Sequence, residues 1–333
     1  MINKISIIIP ILNEEKYIAK CIESIINCDY DKTKLEVFLV DGGSSDETVD
    51  IIKDYQKQYN FLNLLHNKKR FAPMGMNLGI NQSSGKYIFI ISAHASYVDN
   101  YFSLLVRYCE SLNADCVGPV LETDIKVKTN ISNAIKNVLS DKLGVGSSFR
   151  SGVDKITEVD TVPFGCYKRE IFDKVGFYDE RLIRNQDIEL NKRIINNGGK
   201  IYLIPDIKCT YYARETFEGL AKNNFANGKW NILTAYFTKT FSSLSLRHFI
   251  PLLFVSFLVL TFLFSFIYKV ALYGFLAVFV PYFSIILVRS IQIKKDTTIF
   301  HQFLAFLILH FSYGFGSVSG ILEVIKLYIK GKK

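Results

Sequence analysis

The chain has 333 residues, of which 49% are hydrophobic and 14% aromatic, and its formal net charge is +9. Its 20 glycines, 7 prolines and 6 scattered cysteines exclude collagen-like, disordered and disulfide-stapled proteins. Residues 1–230 carry a net charge of +1, whereas residues 231–333 hold 10 basic and 2 acidic residues. Because basic residues flank the apolar runs of membrane proteins, this excess charge indicates a membrane contact and not nucleic-acid binding.

The first two thirds of the chain alternate short apolar strands with amphipathic helices. Strands are predicted over residues 4–10, 35–40, 61–66 and 87–91, and helices over 14–27, 47–59 and 74–81. Strands that are apolar on both faces and alternate with helices predict a parallel α/β sheet covered on both sides. Ligands of such sheets bind at the carboxyl ends of the strands, which here are residues 10–15, 41–46 and 92–96.

The second strand ends in a glycine-rich turn, Asp41-Gly42-Gly43-Ser44-Ser45. Its spacing is not that of the G-x-G-x-x-G dinucleotide motif, and no phosphate-loop lysine follows it. A carboxylate at a strand tip beside glycines suits hydrogen bonds to a nucleobase or ribose, although Asp-Gly also forms ordinary turns. The cations after the third strand, Lys68, Lys69 and Arg70, suit either phosphate or a solvated loop.

Five sequence blocks carry a more specific signal. They are Pro10-x-x-Asn13-Glu14, Val40-Asp41-Gly42-Gly43-Ser44-Ser45-Asp46, Asn77-x-Gly79 with Gly85-Lys86-Tyr87-Ile88, Gly165-Cys166-Tyr167-Lys168-Arg169, and Asn185-Gln186-Asp187-x-Glu189. In this order they resemble the inverting family 2 glycosyltransferases of GT-A fold, over about residues 4–215. Ala93-His94-Ala95, Arg184-Asn185-Gln186-Asp187 and Gly228-Lys229-Trp230 are most similar to the membrane-bound succinoglycan-type glucosyltransferases, which extend lipid-linked sugars.

The resemblance implies an α/β GT-A domain with a Rossmann-like, mostly parallel sheet, followed by a helical transmembrane region. It places the nucleotide-sugar donor against Pro10, Asn13, Glu15, Asp41, Arg70 and His94. It places the acceptor against Gly165, Gln186, Arg214, Lys229 and Trp230. For Trp230, stacking on a sugar and anchoring in the membrane interface are alternatives.

The metal site departs from the family pattern. The usual D-x-D appears as Ser92-Ala93-His94, so both carboxylates are missing and His94 holds the position that usually binds the metal. Imidazole ligates Mn²⁺, whereas Mg²⁺ prefers oxygen ligands. His94 is therefore a candidate ligand of a divalent cation, Mn²⁺ or Mg²⁺, or a diphosphate contact. A satisfied strand-end histidine is the alternative.

Asp187 matches the catalytic Asp of the family, with Gln186 in place of the preceding Glu. A carboxylate at a helix start can accept the proton of the acceptor hydroxyl while the oxygen attacks the anomeric carbon and inverts it. A helix-start charge that interacts with the macrodipole is the alternative. Glu189 would face about 200° away on a helix and is the weaker candidate for the base.

Three apolar runs follow, predicted to span residues 249–268, 270–288 and 299–322, and each can cross about 30 Å of hydrocarbon. The third contains two histidines, three serines and three glycines, so a re-entrant or interfacial position is the alternative to a span. The predicted domains are thus a GT-A domain over 1–216, an amphipathic interfacial segment over 217–248, a transmembrane region over 249–323 and a basic tail over 324–333.

Basic residues bracket the first two runs and place both flanks of this hairpin in the cytoplasm. The first residues do not resemble a signal peptide. We therefore expect a multi-pass protein of the cytoplasmic membrane with its catalytic domain on the cytoplasmic side. Its cysteines are expected to be reduced and buried, since none forms a C-x-x-C pattern.

Together these features predict a membrane-anchored inverting hexosyltransferase. Its expected partners are a nucleotide sugar, in the first place a UDP-sugar, and a lipid-linked saccharide in extracellular or capsular polysaccharide assembly. Two alternatives stay open: transfer to polyprenyl phosphate, and an assembly subunit that binds nucleotide sugar without turnover.

Overall fold

The computed structural model describes residues 2–144, 154–239 and 246–330. These residues form two compact units. The first contains residues 2–122 and 154–212, and the second contains residues 123–144 with those from 213 onwards. The domain boundary near residue 216 stays a prediction, and residues 123–144 are the segment that groups with the C-terminal helices instead.

A mixed sheet forms the centre of the first unit. Its strands are β1 (Ile5–Ile11), β2 (Leu35–Asp41), β3 (Leu62–His66), β4 (Tyr87–Ile90), β5 (Ala95–Tyr97), β6 (Cys116–Asp124), β7 (Thr157–Glu158), β8 (Cys166–Lys168) and β9 (Ile201–Tyr212). The order is β3-β2-β1-β4-β8-β6-β9-β5, with β7 also paired to β9. β1 runs parallel to β2 and β4, and β2 runs parallel to β3, whereas β8 runs antiparallel to β4 and β6.

Helices cover both faces of this sheet. They are α1 (Ile18–Ile26), α2 (Thr48–Gln56), α3 (Ala72–Gln82), α4 (Tyr101–Ser111), α6 (Arg169–Val175) and α7 (Gln186–Asn196). Successive β1 residues point to opposite faces, so Ile7 lies in one core cluster and Ile8 in the other. The α/β fold predicted from the alternation is confirmed. The antiparallel strands come from the chain beyond the alternating segment, where no strand was predicted.

The cysteines lie inside the first unit. All six are free and buried, as the sequence predicted. Burial, reinforced by the charge of Glu14, raises the pKa of Cys21 to about 12. A thiol with such a pKa is a small apolar group at neutral pH and not a nucleophile.

The second unit is helical. It contains α5 (Asn130–Ser140), α8 (Phe217–Thr238), α9 (Ile250–Ser265), α10 (Lys269–Ile293) and α11 (Ile299–Lys330). Three stretches of the described chain are long and apolar enough to cross a membrane: Leu246–Ser265, Lys269–Ile293 and Ile299–Lys330. They overlap the three predicted runs, and the last extends eight residues beyond its predicted end at 322.

Glycines allow α8 and α11 to touch backbone to backbone. A Cβ on Gly228 would collide with the carbonyl oxygen of Tyr313, and one on Gly316 would collide with that of Phe225. Ser317 Oγ donates a hydrogen bond to the carbonyl oxygen of Gly228 at 3.2 Å. Such close approach is typical of small residues at helix crossings within or beside membranes.

We predict that Gly316→Ala destabilises the protein by about 1–3 kcal/mol, because the new methyl group overlaps backbone that cannot move independently. Gly274→Ala in α10 is the matched control, since its Cβ would find no atom nearer than 3.8 Å. Alanine also favours a helix over glycine by about 1 kcal/mol, so this control should be neutral or stabilising. Thermal unfolding in detergent compares the two, and equal melting temperatures would show that the close crossing is not needed.

Candidate active site

The parallel strands bring several loops to one edge of the sheet. Ile11 at the end of β1 is in register with Asp41 at the end of β2, and Asp41 is in register with His66 at the end of β3. The loops after these strands therefore start side by side, next to the residues that follow β4. This edge holds most of the residues predicted to bind the donor.

Hydrogen bonds tie the loop after β1 to the loop after β2. Asn13 adopts a left-handed backbone with φ of +56°, which asparagine tolerates. Its N–H donates to Ser44 Oγ at 2.9 Å, and its Oδ1 accepts from the N–H of Ser45 at 2.8 Å. The N–H of Glu14 donates to Thr48 Oγ1 at 2.7 Å. Asn13, predicted to touch the donor, thus also builds the loop pair.

The Asp41 carboxylate is buried and holds its own turn together. It accepts hydrogen bonds from the N–H of Gly43 at 3.0 Å, from the N–H of Ser44 at 3.0 Å and from Ser44 Oγ at 2.6 Å. The ordinary turn that Asp-Gly permits is therefore present. The Ser44 N–H also lies 3.3 Å from Oδ2, and His66 Nδ1 lies 3.8 Å from the same oxygen, so the protein itself uses most acceptor positions of this carboxylate. The nucleoside contact of Asp41 stays a prediction.

The other donor residues on this edge are more exposed. Glu15 accepts a long hydrogen bond of 3.4 Å from the N–H of Glu47. Arg70 has a φ of +69°. Its carbonyl oxygen packs against Gly42, where the Cβ of any other residue would collide with it. Of the predicted cations, Lys69 forms an ion pair with Glu180 at 2.6 Å. Pro10 lies in β1.

His94 forms a hydrogen bond with Glu14 that sequence reasoning missed. The Nδ1–carboxylate distance is 2.9 Å, and the side chains are 33% and 13% exposed. The rings of Tyr17 and Tyr211 flank the imidazole, with centroids at 5.9 and 6.5 Å. An ionised carboxylate only accepts, so Nδ1 carries the proton and Nε2 is the nitrogen left for a ligand. The signal in the sequence is the Asn13-Glu14-Glu15 block, which puts a carboxylate at the end of β1.

A metal ion held by protein ligands alone does not fit these residues. No group of three or more His, Cys, Asp and Glu side chains that could hold one occurs in the described part of the chain. Both backbone groups of Ser92 are engaged with the Tyr97 hydroxyl at 2.9 Å. His94 Nε2 offers one bond to a cation or, when the ring is protonated, one hydrogen bond to an anion.

Asp187 is the second residue of α7. The helix begins at Gln186, directly after Asn185, which has a left-handed φ of +61°. Burial of the Asp187 carboxyl raises its pKa, although hydrogen bonds from the N–H groups of Ile188 and of Asp187 itself oppose the shift. Glu189 instead pairs with Arg193 at 2.7 Å. The role of Asp187 as the base stays a prediction.

The structure suggests a ligand contact for Gln186 and a packing role for Gly165. Gln186 Oε1 is buried and has no hydrogen-bond partner among the residues that the structure describes. A buried acceptor without a donor costs free energy, so this oxygen suits a donor from a bound molecule. A Cβ on Gly165 would lie 2.8 Å from Cys116 Sγ, which gives this glycine a packing role.

The remaining predicted acceptor residues belong to the second unit. Arg214 is exposed. Lys229 lies 3.6 Å from Glu323 on α11. Trp230 stacks on Phe237 about two turns of the helix further along, at a centroid distance of 6.5 Å. Their contact with an acceptor stays a prediction.

Known proteins resemble this chain in sequence and fold. The pattern of "Glycosyl transferase family 2" matches residues 6–176. The dolichyl N-acetyl-alpha-D-glucosaminyl phosphate 3-beta-D-2,3-diacetamido-2,3-dideoxy-beta-D-glucuronosyltransferase of Methanococcus voltae is 34% identical over 235 residues, which cover 68% of this chain and 72% of the relative. Succinoglycan biosynthesis protein ExoA of Rhizobium meliloti is 28% identical over 225 residues, 67% of each chain.

A solved structure adds the likeness of fold. Mannosyltransferase PcManGT from Pyrobaculum calidifontis, in complex with GDP-Man and Mn²⁺, superposes with a TM-score of 0.62 at 14% identity. The match covers 97% of this chain and 88% of that one.

We predict that Asp187→Asn does not lower the melting temperature at pH 7. The folded-state pKa of Asp187 is raised, so the stability linked to its proton is present below the unfolded pKa and is lost as the pH rises through the folded pKa. An uncharged amide avoids that loss.

Asp179→Asn is the control of opposite sign. The hydrogen bond from Arg181 lowers the pKa of Asp179, so its contribution is present above the unfolded pKa and is lost as the pH falls through the folded pKa. This variant should melt at a lower temperature at pH 7. Calorimetry at pH 7 and near pH 4 measures both, and a lower melting temperature for Asp187→Asn at pH 7 would contradict the assignment.

Proposed function

The chain belongs to glycosyl transferase family 2, and we propose that it transfers a hexose from a nucleotide sugar to a lipid-linked saccharide with inversion. One observation carries this proposal: the Asp187 carboxyl has a raised pKa and lies next to Gln186 Oε1, which finds no hydrogen-bond partner among the described residues. The Methanococcus voltae relative is named for transfer to a dolichyl-phosphate-linked sugar, and ExoA for succinoglycan biosynthesis. Both names support a lipid-linked saccharide in polysaccharide assembly, and the first favours it over bare polyprenyl phosphate.

Asp187 acts as the general base. Its carboxylate takes the proton of the acceptor hydroxyl while that oxygen forms a bond to the anomeric carbon. The bond from this carbon to the diphosphate breaks on the opposite side, so the configuration inverts. A raised pKa makes the carboxylate a stronger base than an ordinary aspartate, and Gln186 Oε1 accepts a hydrogen bond that orients the sugar acceptor.

His94 faces the diphosphate that leaves. Glu14 holds the ring through Nδ1 and leaves Nε2 for a ligand. Nε2 would hold the diphosphate as an N–H donor, or it would help to hold a divalent cation, which would supply positive charge to the leaving group. Mn²⁺ accompanies GDP-Man in the PcManGT structure, which supports the second form. When bound, such a cation neutralises phosphate oxygens.

The donor nucleoside lies against the joined loops after β1 and β2. Pro10, Asn13, Glu15 and Asp41 contact it, and Arg70 meets the phosphates. We expect a UDP-sugar. On the acceptor side, Gly165 borders the site, Arg214 and Lys229 meet lipid phosphate and Trp230 stacks on a sugar.

The second unit anchors the enzyme in the cytoplasmic membrane. Its three apolar stretches support membrane association. Arg247 stands before α9, and Lys294 and Lys295 follow α10. Because lysine and arginine accumulate on the cytoplasmic side, this distribution supports a cytoplasmic catalytic unit.

We predict that Asp187→Asn lowers transfer by about 10²–10⁴-fold, since the variant has no base. Donor binding, followed as thermal stabilisation by UDP-, GDP- and dTDP-sugars, should persist because Asp187 touches the acceptor. Asp50→Asn in α2, with an 83% exposed carboxylate, is the matched control and should keep full activity. Unchanged transfer in Asp187→Asn would remove the base assignment. Donor binding by the wild type without transfer under any metal condition would favour the assembly subunit.

We predict that Glu14 and His94 act as one unit. His94→Ala and Glu14→Ala should each lower transfer by about 10-fold or more, and the double variant should lose little beyond His94→Ala alone. Glu14→Gln should retain part of the rate, because its amide oxygen still accepts from Nδ1. Glu23→Gln is the control, on a carboxylate that binds Tyr55 instead.

The same variants decide the role of the cation. If the wild type still transfers sugar after EDTA has removed divalent cations, Nε2 is assigned to direct contact with the diphosphate. If the His94→Ala variant needs a higher Mn²⁺ concentration for transfer than the wild type, Nε2 is assigned to the cation. Fully additive effects of Glu14→Ala and His94→Ala would contradict the pair.

A further inference from the structure

The Asn77-x-Gly79 block of α3 belongs neither to the proposed donor contacts nor to the proposed acceptor contacts. Gly79 lets α3 lie directly on β1, because a Cβ at this position would come within 2.6 Å of Ile8 Cγ2. Asn77, on the same helix, is buried. Its side chain is therefore held in a fixed position relative to β1, whose end borders the candidate site.

Asn77 binds the backbone of Tyr178 at two points. Its Nδ2 donates a hydrogen bond to the carbonyl oxygen of Tyr178 at 2.9 Å, and its Oδ1 accepts one from the N–H of Tyr178 at 3.0 Å. Both backbone groups of this residue are thus satisfied by a single side chain. Tyr178 lies in residues 176–180, which we call the bridging segment.

A second contact holds the bridging segment from the loop after β3. Lys69 Nζ lies 2.6 Å from Glu180 Oε2, and Asn77 Nδ2 lies 3.5 Å from the other oxygen of this carboxylate. The loop itself is fixed, because the N–H of Asn67 donates to the carbonyl oxygen of Asp41 at 2.7 Å. Asn67 Oδ1 also accepts from the N–H of Lys69 at 3.1 Å. The donor edge of the sheet therefore grips the bridging segment at two places.

Helix α7 holds the bridging segment from the other side. Arg193 Nη2 donates a hydrogen bond to the carbonyl oxygen of Phe177 at 2.8 Å. The same guanidinium pairs with Glu189 in α7 at 2.7 Å, so its position is set by the helix. The bridging segment thus connects the donor edge to the helix whose second residue is Asp187.

The side chain of Tyr178 continues this connection to the base. Its ring is buried and lies beside Phe172 at a centroid distance of 6.3 Å. Burial raises the pKa of Tyr178, and the negative charge of Asp187 raises it further, so the two side chains lie near each other. The hydroxyl of Tyr167 donates to Asn191 Oδ1 of α7 at 3.2 Å. The pKa of Tyr167 is also raised, chiefly by burial, and the charge of Asp187 again contributes.

We propose that Asn77 and the Lys69–Glu180 pair are positioning groups. Through the bridging segment they fix the distance between the base Asp187 and the donor whose phosphates Arg70 meets. Reaction requires the reacting atoms at about 3–3.5 Å, and a misplacement of about 1 Å can cost about 100-fold in rate. This inference rests on the proposed roles of Asp187 and Arg70.

Kinetics of variants in the exposed pair test the proposal. The Lys69 and Glu180 side chains are 65% and 39% exposed, so Glu180→Gln should melt near the wild-type temperature. We expect its kcat to fall about 10-fold, with the donor KM changed less than about twofold. The charge swap Lys69→Glu with Glu180→Lys restores the ion pair and should recover most of kcat. Asp54→Asn, in the exposed Lys57–Asp54 pair of 2.7 Å beside α2, is the matched control and should keep full kcat.

Three kinetic outcomes would overturn the proposal. The first is an unchanged kcat in Glu180→Gln, and the second is a charge swap that leaves kcat low. The third is a higher donor KM at constant kcat, which would make the pair a part of the donor site and not a positioning device.

Hydrogen exchange tests the same connection without any turnover. In Glu180→Gln the N–H of Tyr178, bonded to Asn77, and the N–H of Glu189, bonded to the carbonyl oxygen of Asn185 at 3.0 Å, should exchange at least about threefold faster. The N–H of Ile51 in α2 is the control and should not change. If the wild type transfers no sugar, the proposed function fails, whereas unchanged exchange at both positions would overturn the connection itself.

Discussion

The parallel pairing of β1 with β2 and β4 is the constraint on which the candidate site depends. It brings the ends of these strands to one edge, so that loops 30 to 80 residues apart in the chain become neighbours. Asn13 and Thr48 then lock the first two loops together. This lock fixes the backbone of Glu14, and Glu14 in turn fixes His94. A chain of local hydrogen bonds thereby positions the imidazole that replaces the carboxylates of the family.

The electrostatics of residues 1–230 follow from their small net charge. Residues 1–230 have a net charge of only +1, so a diphosphate is attracted by individually placed groups and not by a general positive field. Several carboxylates are already engaged: Asp41 holds its own turn, and Glu189 is paired with Arg193. Asp187 differs from both because burial raises its pKa. The raised pKa suits the role of base that we propose for it.

The second unit is governed by close packing between helices of different character. Gly228 and Gly316 let a polar helix, α8, lie directly against an apolar one, α11. Because the two helices are packed together, the position of one relative to water and lipid also fixes the position of the other.

The sequence by itself determined the α/β alternation, the apolar runs, the buried cysteines and the motif positions of Asp187 and His94. Periodicity and composition are local properties, so they can be recognised without knowing which elements meet. Only the tertiary structure decided that Glu14 pairs with His94, that Asp41 is occupied by its own turn and that residues 123–144 group with the C-terminal helices. It also placed α8 along α11. These outcomes depend on contacts between residues far apart in the chain, and no local pattern records which distant partner neutralises a charge or covers a helix face.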